Sequence, residues 1–249
     1  MNSSQTDLSI FRKFEFKLSP VGVKFLPNKP QGIRQLEKVL DFCEMLKEAQ
    51  NTEPFYAAKE QFSCVGPLIL GMTDSDPIFE SGQVGPKLGV FKDARANRRV
   101  YQEVPRLAKG IIKCVAFSSL ARLSFNPDVL IITASVVQAE LLLRAYSYST
   151  GKMWTAKGTT VIGCAWLYIY PYVSGELNLT VTGFGHGMKI RRLFPEGMIL
   201  ISIPWDLIPG ITENLKEMEW VPHSYTITPE EHKQKMKRIA GELKQELLD

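Results

Sequence analysis

Short apolar runs of strand length alternate along this chain with amphipathic stretches of helix length, and this alternation restricts the fold more than any other feature. In the stretches between the runs, apolar residues recur at i, i+3 and i+4, which is the period of one helix face. Helices and strands that alternate in this way pack as layers around a sheet. The sequence therefore predicts an α/β (α+β) fold, in which helices pack on a mixed sheet. The predicted strands are Val21–Leu26, Ile111–Phe117, Val129–Thr133, Asn178–Thr182 and Ile199–Ile203.

Three segments carry helix signals. In the first, an apolar stripe places several residues on one helix face, namely Leu36, Val39, Leu40, Cys43 and Leu46. The second begins at Ser135, which is followed three residues later by Gln138, the spacing of a capping box. The third has Thr228 as its cap and Pro229 as its first residue. It continues as an amphipathic C-terminal helix that we expect to dock on the body of the protein.

The order of these elements predicts an internal repeat. VGVKFLP, a helix and AAKEQFSC are echoed in order by VLIITA, a helix and TAKGTTVIGC. In this comparison Cys64 and Cys164 take similar places, downstream of Lys59 and Lys157. Two related α/β units would meet at a natural binding site, which both cysteines could face. The predicted organisation is an N-terminal extension (1–18), one domain (19–217) with two halves (19–125 and 126–217), and a linker with the C-terminal helix (218–249).

Composition excludes several classes of partner. The chain has 249 residues, of which 45% are apolar, and a formal net charge of +4. That charge is too small to indicate nucleic acid as the partner. The longest apolar stretch, Val161–Val173, is too short to cross a bilayer and contains Gly163 and Pro171. Four cysteines are ordinary for a reducing compartment. We therefore expect a cytoplasmic protein that binds a small molecule, without a nucleic-acid or membrane partner, and leave homo-oligomers open.

The cysteines are the first candidates for chemistry, although none of them lies in a CxxC motif. Cys43 lies on the apolar stripe of a predicted helix, where a free cysteine is often a small buried hydrophobe. Cys114 lies inside a predicted strand, and the same reading applies. Cys64 and Cys164 lie next to glycines, which allow a ligand to approach the backbone closely. For these two cysteines a functional role and a structural role are equally compatible with the sequence.

A glycine-rich loop supplies the second group of candidates. His186 stands between two glycines, and two cations follow it. The next residues run into Phe194-Pro195 rather than an apolar helix, which argues against a dinucleotide-binding loop. A further cation and hydroxyl occur in the segment Lys157-Gly158-Thr159. The predicted catalytic residues are His186 and Lys157, and the predicted cofactor-binding residues are Gly185, Gly187, Lys189 and Thr159.

Several blocks of the sequence resemble a known family. They are SPVGVKF, DFC, SCVGPLILGM, NPDVLIITASVVQAELLLRAYSYSTG, KGTTVIGCAWLYIYPYVSGELNLTVTGFGHG and ILISIP. In order and spacing they resemble the uncharacterised ArCR family (domain of unknown function 169), found in archaea and anaerobic bacteria, over about residues 19–217. The resemblance implies cysteines at the places of Cys43, Cys64 and Cys164. It also implies a Gly-x-Arg pattern where this chain has Gly185-His186-Gly187.

Two functions follow as hypotheses. In the first, the protein is a redox or metal protein in which Cys43, Cys64 and Cys164 hold an iron–sulfur cluster, or two of them act as a thiol pair. Thiolates are soft ligands suited to such centres, and three of them leave one position open for a substrate. In the second, the protein is a binding or accessory module whose apolar pocket holds an aromatic or other organic acid. The sequence does not decide between an enzyme and a binding protein.

Overall fold

The computed structural model of this protein describes residues 6–247. Its strands are β1 (Val21–Leu26), β2 (Arg34–Gln35), β3 (Phe55–Ala58), β4 (Cys114–Ser119), β5 (Val129–Ala134), β6 (Asn178–Val181) and β7 (Ile199–Pro204). Within the described residues they form one mixed sheet of seven strands in the order β2-β3-β4-β1-β5-β7-β6. β2 pairs parallel with β3, and the other neighbours pair antiparallel. The predicted α/β fold with a mixed sheet is confirmed.

Helices cover both faces of this sheet. The α-helices are α1 (Phe42–Asn51), α2 (Gly66–Ile69), α3 (Pro77–Glu80), α4 (Val84–Lys87), α5 (Ala94–Glu103), α6 (Val136–Ser147), α7 (Tyr170–Ser174), α8 (His186–Ile190), α9 (Ile208–Glu217) and α10 (Pro229–Glu246). A π-helix, Ala165–Ile169, runs directly into α7. α1 and the π-helix pack on one face of the sheet, which we call the front face. α6 and α9 pack on the opposite face.

The strand order is symmetric about the central pair β1 and β5. β4 and β7 lie next outward, followed by β3 and β6. α1 leads into β3 as α7 leads into β6. The predicted equivalence of Cys64 and Cys164 is nevertheless wrong, because Cys64 follows β3 whereas Cys164 precedes the π-helix and β6. The boundaries of the two halves stay a prediction.

The first predicted helix begins later than its apolar stripe suggests. α1 starts at Phe42, because the side chain of Glu44 accepts a hydrogen bond from the backbone N–H of Asp41 and caps the helix there. Upstream the chain is extended, and the N–H of Leu36 donates to the carbonyl of Tyr56 at 2.8 Å. The cap and the strand pairing together override the apolar periodicity before residue 42.

The C-terminal helix is present at the predicted place, but it does not dock as expected. None of the described residues of α10 is buried. Two members of its apolar stripe, Met236 and Leu243, are each 50% exposed. Acidic and basic side chains are mixed along α10, and most of them are exposed to solvent. Over residues 6–247, no helix combines the length and the apolar character that a membrane crossing requires.

Candidate functional site

Three of the four cysteines meet on the front face, near the start of α1. Cys43 is the second residue of α1, Cys64 lies in the turn before α2, and Cys164 immediately precedes the π-helix. A negative charge on Cys64 raises the pKa of both Cys43 and Cys164, and a charge on Cys43 raises that of Cys164. The three sulfur atoms therefore lie close enough to interact electrostatically. We call these three side chains the sulfur site.

Burial controls the protonation of the sulfur site. It is the largest cause that raises the pKa of each thiol, and the pKa of Cys43 reaches about 12. Cys164 keeps part of its surface in contact with solvent, yet dense packing still raises its pKa. The Sγ atom of Cys64 accepts hydrogen bonds from the backbone N–H groups of Phe42 and Gly66, each at 3.3 Å. These two donors lower the pKa of Cys64 and partly offset its burial.

An aromatic side chain forms the inner wall of the sulfur site. Tyr168 is fully buried, and its ring stacks on Phe42 with centroids 4.1 Å apart. Its hydroxyl donates to the backbone carbonyl of Phe42 at 3.2 Å. After burial, charges on the three cysteines are the causes that raise the pKa of Tyr168, so its hydroxyl lies near the sulfur atoms. The tyrosine links the π-helix to the start of α1.

Polar side chains surround the start of α1 beside the sulfur site. The carboxylate of Asp41 forms an ion pair with Arg191, which directly follows α8. The hydroxyl of Ser63 donates to the same carboxylate. Glu44 lies 3.9 Å from the guanidinium of Arg191. Arg191 lowers the pKa of Cys43 and Cys64, whereas the Asp41 carboxylate raises them.

Backbone strain occurs on both sides of the sulfur site. Ile162, two residues before Cys164, has a φ of 52°, and Arg192, next to Arg191, has a φ of 49°. β-Branched isoleucine rarely adopts this left-handed conformation, which costs of order 1–3 kcal/mol. The π-helix that follows Cys164 is also a rare form, frequent at functional sites. The surrounding structure holds these segments in place despite the cost.

The geometry of this cluster does not match a site for one metal ion. Among residues 6–247, no group of three or more His, Cys, Asp or Glu side chains is arranged to hold a single ion. Cys114 is separate from the cluster and lies in a small core with Tyr56 and Ala116. Its thiol donates to the carbonyl of Asn28 at 3.0 Å. The predicted core position of Cys114 is confirmed, since it is fully buried.

Lys157 and Thr159 lie in the segment that leads to Cys164, and their side chains have other partners. The amine of Lys157 lies 5.0 Å from the ring centroid of Tyr170. The hydroxyl of Thr159 accepts a hydrogen bond from the indole of Trp166 at 3.0 Å and donates to the carbonyl of Val161. These contacts hold the segment in its extended path.

The predicted glycine-rich loop borders the same segment. His186 is the first residue of α8, and its backbone N–H donates to the carbonyl of Thr160 at 2.7 Å. A Cβ atom added to Gly163 would lie 3.8 Å from the Cα of Gly185. Gly187 accepts a hydrogen bond from Arg191, and the side chain of Lys189 is exposed. The structure thus joins the loop to the segment of Cys164 and to Arg191.

A cavity of about 600 Å³ lies on the opposite face of the sheet. It is lined by residues of α6, among them Leu143, together with Tyr148, Trp154 and Ile199. Trp154 is therefore separate from the sulfur site, whereas Tyr168 is part of it. The sequence indicated Arg191 only as one of the two cations after His186. It did not predict the roles of Asp41 and Ser63, the ion pair of Asp41 with Arg191, or the hydrogen bond of Tyr168 to Phe42. The capping-box spacing of Asp41 and Glu44 was a signal for Asp41, but nothing local predicts that Arg191 pairs with it.

We expect the reduced protein to lose stability as pH rises above about 8.5, where thiols of an unfolded chain begin to ionise. The pKa of Cys43 in the folded protein is about 12. Because the folded pKa lies above the unfolded one, the stabilising contribution is complete below about pH 8.5 and is lost as pH rises towards 12. Urea unfolding across this range measures the effect. In Cys43→Ala this part of the pH dependence should be absent, and equal slopes for the two proteins would contradict the assignment.

Comparisons with known proteins agree with the resemblance in the sequence. The model of the uncharacterised ArCR family (domain of unknown function 169) matches residues 9–214. The uncharacterized protein MJ0308 of Methanocaldococcus jannaschii is 24% identical over 208 residues, which cover 81% of this chain and 88% of the relative. No solved structure matches the chain with significance. These comparisons show which family the chain resembles, and neither description names an activity.

Proposed function

The chain belongs to the uncharacterised ArCR family (domain of unknown function 169), and since that description gives no activity, we propose its function from the sulfur site. In this proposal the protein is a redox or metal protein in which Cys43, Cys64 and Cys164 hold an iron–sulfur cluster. The observation that carries the proposal is the meeting of these three free thiols, from three separate segments, in one buried place. The cluster would work in the cytoplasm, the compartment we propose from the cysteine content.

Electrostatics favours a cationic centre at this place. Thiolates are the form that binds iron, and three buried thiolates repel one another. Their charges raise the pKa values of Cys43 and Cys164 when no cation is present. Iron ions would offset this repulsion, and the two backbone N–H groups at Cys64 would donate to a bound thiolate as they do to the free thiol. The site is therefore better suited to a metal centre than to free thiolates.

The same observations favour a cluster over a single metal ion and over a catalytic thiol pair. A four-iron cluster binds each thiolate through a different iron, so its ligands stand farther apart than those of one ion. This agrees with three interacting thiols among which no single-ion site exists in the described part of the chain. A catalytic thiol pair needs a lowered pKa, whereas burial raises the pKa of all three thiols here.

Three protein ligands would leave one iron of a four-iron cluster open to an exogenous ligand. We propose a small molecule as that ligand, and we keep His186 and Lys157 as proposed acid–base groups. His186 is the better placed, because it opens the helix whose end carries Arg191 beside the cysteines. Whether the centre turns over a substrate or only transfers electrons depends on that ligand.

Anaerobic reconstitution with Fe²⁺ and sulfide tests the proposal. We expect a coloured protein with about four irons and four sulfides per chain, and a characteristic electron paramagnetic resonance signal after reduction. A colourless protein without iron after this treatment would contradict the cluster. It would favour the alternative, a non-catalytic module that binds an aromatic or other organic acid, for which a thermal-shift series with benzoate is the direct measurement.

A further inference from the structure

We infer that Asp41 is a positioning residue of the sulfur site, and that its ion pair with Arg191 holds together the three segments that carry the cysteines. The inference deepens the proposed function and depends on it only for the effect on a cluster. The geometry itself concerns the thiols, whether or not they bind iron.

The carboxylate of Asp41 connects two of the three segments directly. It belongs to the residue before Phe42-Cys43, and its side chain is only 6% exposed. The hydroxyl that donates to it belongs to Ser63, the neighbour of Cys64. The turn of Cys64 is further joined to α1 by the hydrogen bond from the N–H of Phe42 to its sulfur. A displacement of Asp41 would therefore move Cys43 and Cys64 relative to each other.

Arg191 extends the connection to the third segment. Its guanidinium pairs with Asp41 and also donates to the carbonyl of Gly187, at 3.2 Å. α8 is in turn joined to the segment of Cys164 through the hydrogen bond from His186 to Thr160, at 2.7 Å. Arg191 thus fixes α8, and α8 supports the backbone four residues before Cys164.

The energetics of the pair make it a strong link. A carboxylate this buried is stable as an ion only when a charged partner and hydrogen bonds compensate for lost water. Removal of Arg191 would leave the Asp41 carboxylate without its countercharge, so the segments would separate to admit water. The exposed pair of Arg99 and Glu103 has no such consequence, because solvent already compensates for both charges.

Thiol reactivity tests the inference in the reduced, iron-free full-length protein. A Cys114→Ala background leaves only the three thiols of the sulfur site to react with Ellman's reagent. We expect Arg191→Gln to raise their rate of modification about tenfold, which corresponds to ~1.4 kcal/mol in the opening free energy. Loss of the arginine charge alone would raise the thiol pKa values and slow the reaction, so a faster rate reports opening of the site. Asp41→Asn, which retains a good helix cap, should raise it as well. Because loss of this carboxylate also lowers the thiol pKa values, the rate is compared across pH, and the rise should persist after the change in thiolate fraction is accounted for. Arg191→Lys should restore part of the protection, because it keeps the charge but cannot pair with Asp41 and donate to the carbonyl of Gly187 through separate nitrogens.

Arg106→Gln is the control for loss of a paired arginine, since Arg106 pairs with Glu80 at 3.1 Å and Glu80 is 40% exposed, whereas Asp41 is 6% exposed. Its thiol rate should equal that of the parent. Unchanged rates in both Arg191→Gln and Asp41→Asn, or an equal rise in Arg106→Gln, would overturn the inference. In reconstituted protein, Arg191→Gln should release iron to a chelator about tenfold faster. If the parent binds no iron, the proposed function fails, while the thiol rates still decide the positioning role.

Discussion

We expect Cys164→Ala to abolish incorporation of an iron–sulfur cluster and Cys114→Ala to leave it intact. This is the expected result of anaerobic reconstitution with the two variants in parallel. Loss of an outer-shell partner already costs 10–100-fold in metal affinity, so loss of a ligand should cost at least about 100-fold. Alanine removes a thiolate that the proposed iron–sulfur cluster needs. The fourth cysteine, Cys114, packs in a separate core and cannot replace it. Iron and sulfide per chain, with the visible absorption, measure the effect.

Cys114 provides a control of the same residue type. It is fully buried, as are many residues of the front-face core, but it packs with Tyr56 and Ala116 in a separate small hydrophobic core. Its loss removes one small hydrophobe and no proposed ligand. Cys43→Ala and Cys64→Ala should behave like Cys164→Ala. Full iron content in Cys164→Ala, or an equal loss in Cys114→Ala, would contradict the assignment of ligands.

The sequence predicts five of the seven strands in residues 6–247, because burial imposes a pattern on them, but it misses the short strands β2 and β3. The predicted strand Ile111–Phe117 is observed as Cys114–Ser119. β1 has the predicted bounds, and β5 differs from its prediction by one residue. The predicted start of α1 is wrong because the segment before Asp41 has helical periodicity in its apolar residues but is extended. The cap at Asp41 begins the helix only at Phe42. The docking of α10 is wrong because an amphipathic stripe predicts an apolar face without predicting what covers it.

For the sulfur site, the sequence indicates the residues but does not predict how they come together. The family resemblance implies cysteines at three of the four positions, and the structure brings the same three, Cys43, Cys64 and Cys164, to the start of α1. Their separation of up to 121 positions gives the sequence no means to predict the meeting, since it depends on how α1 and the π-helix cross the sheet. The pair of Asp41 and Arg191 spans 150 positions, and only the folded chain reveals it.

Phe42→Ala should destabilise the protein by about 3–5 kcal/mol, the largest effect on stability that we expect from one side chain at the site. Phe42 is completely buried, and its ring stacks on Tyr168 while meeting Phe117 edge to face at 6.1 Å. Truncation would leave a cavity between α1, the sheet and the π-helix. Those elements cannot close it without moving the backbone that carries the cysteines. Equilibrium unfolding in urea of the reduced protein measures the loss.

Two further variants separate the cavity from other causes. Phe42→Leu should cost less than Phe42→Ala, because leucine fills more of the same space. Phe184→Ala removes a ring that is 42% exposed and should change the free energy of unfolding by less than about 0.5 kcal/mol. A Phe42→Ala protein as stable as the Phe184→Ala protein would show that the stack on Tyr168 does not hold α1 against the π-helix. The front face would then need another source for the rigidity on which a buried sulfur site depends.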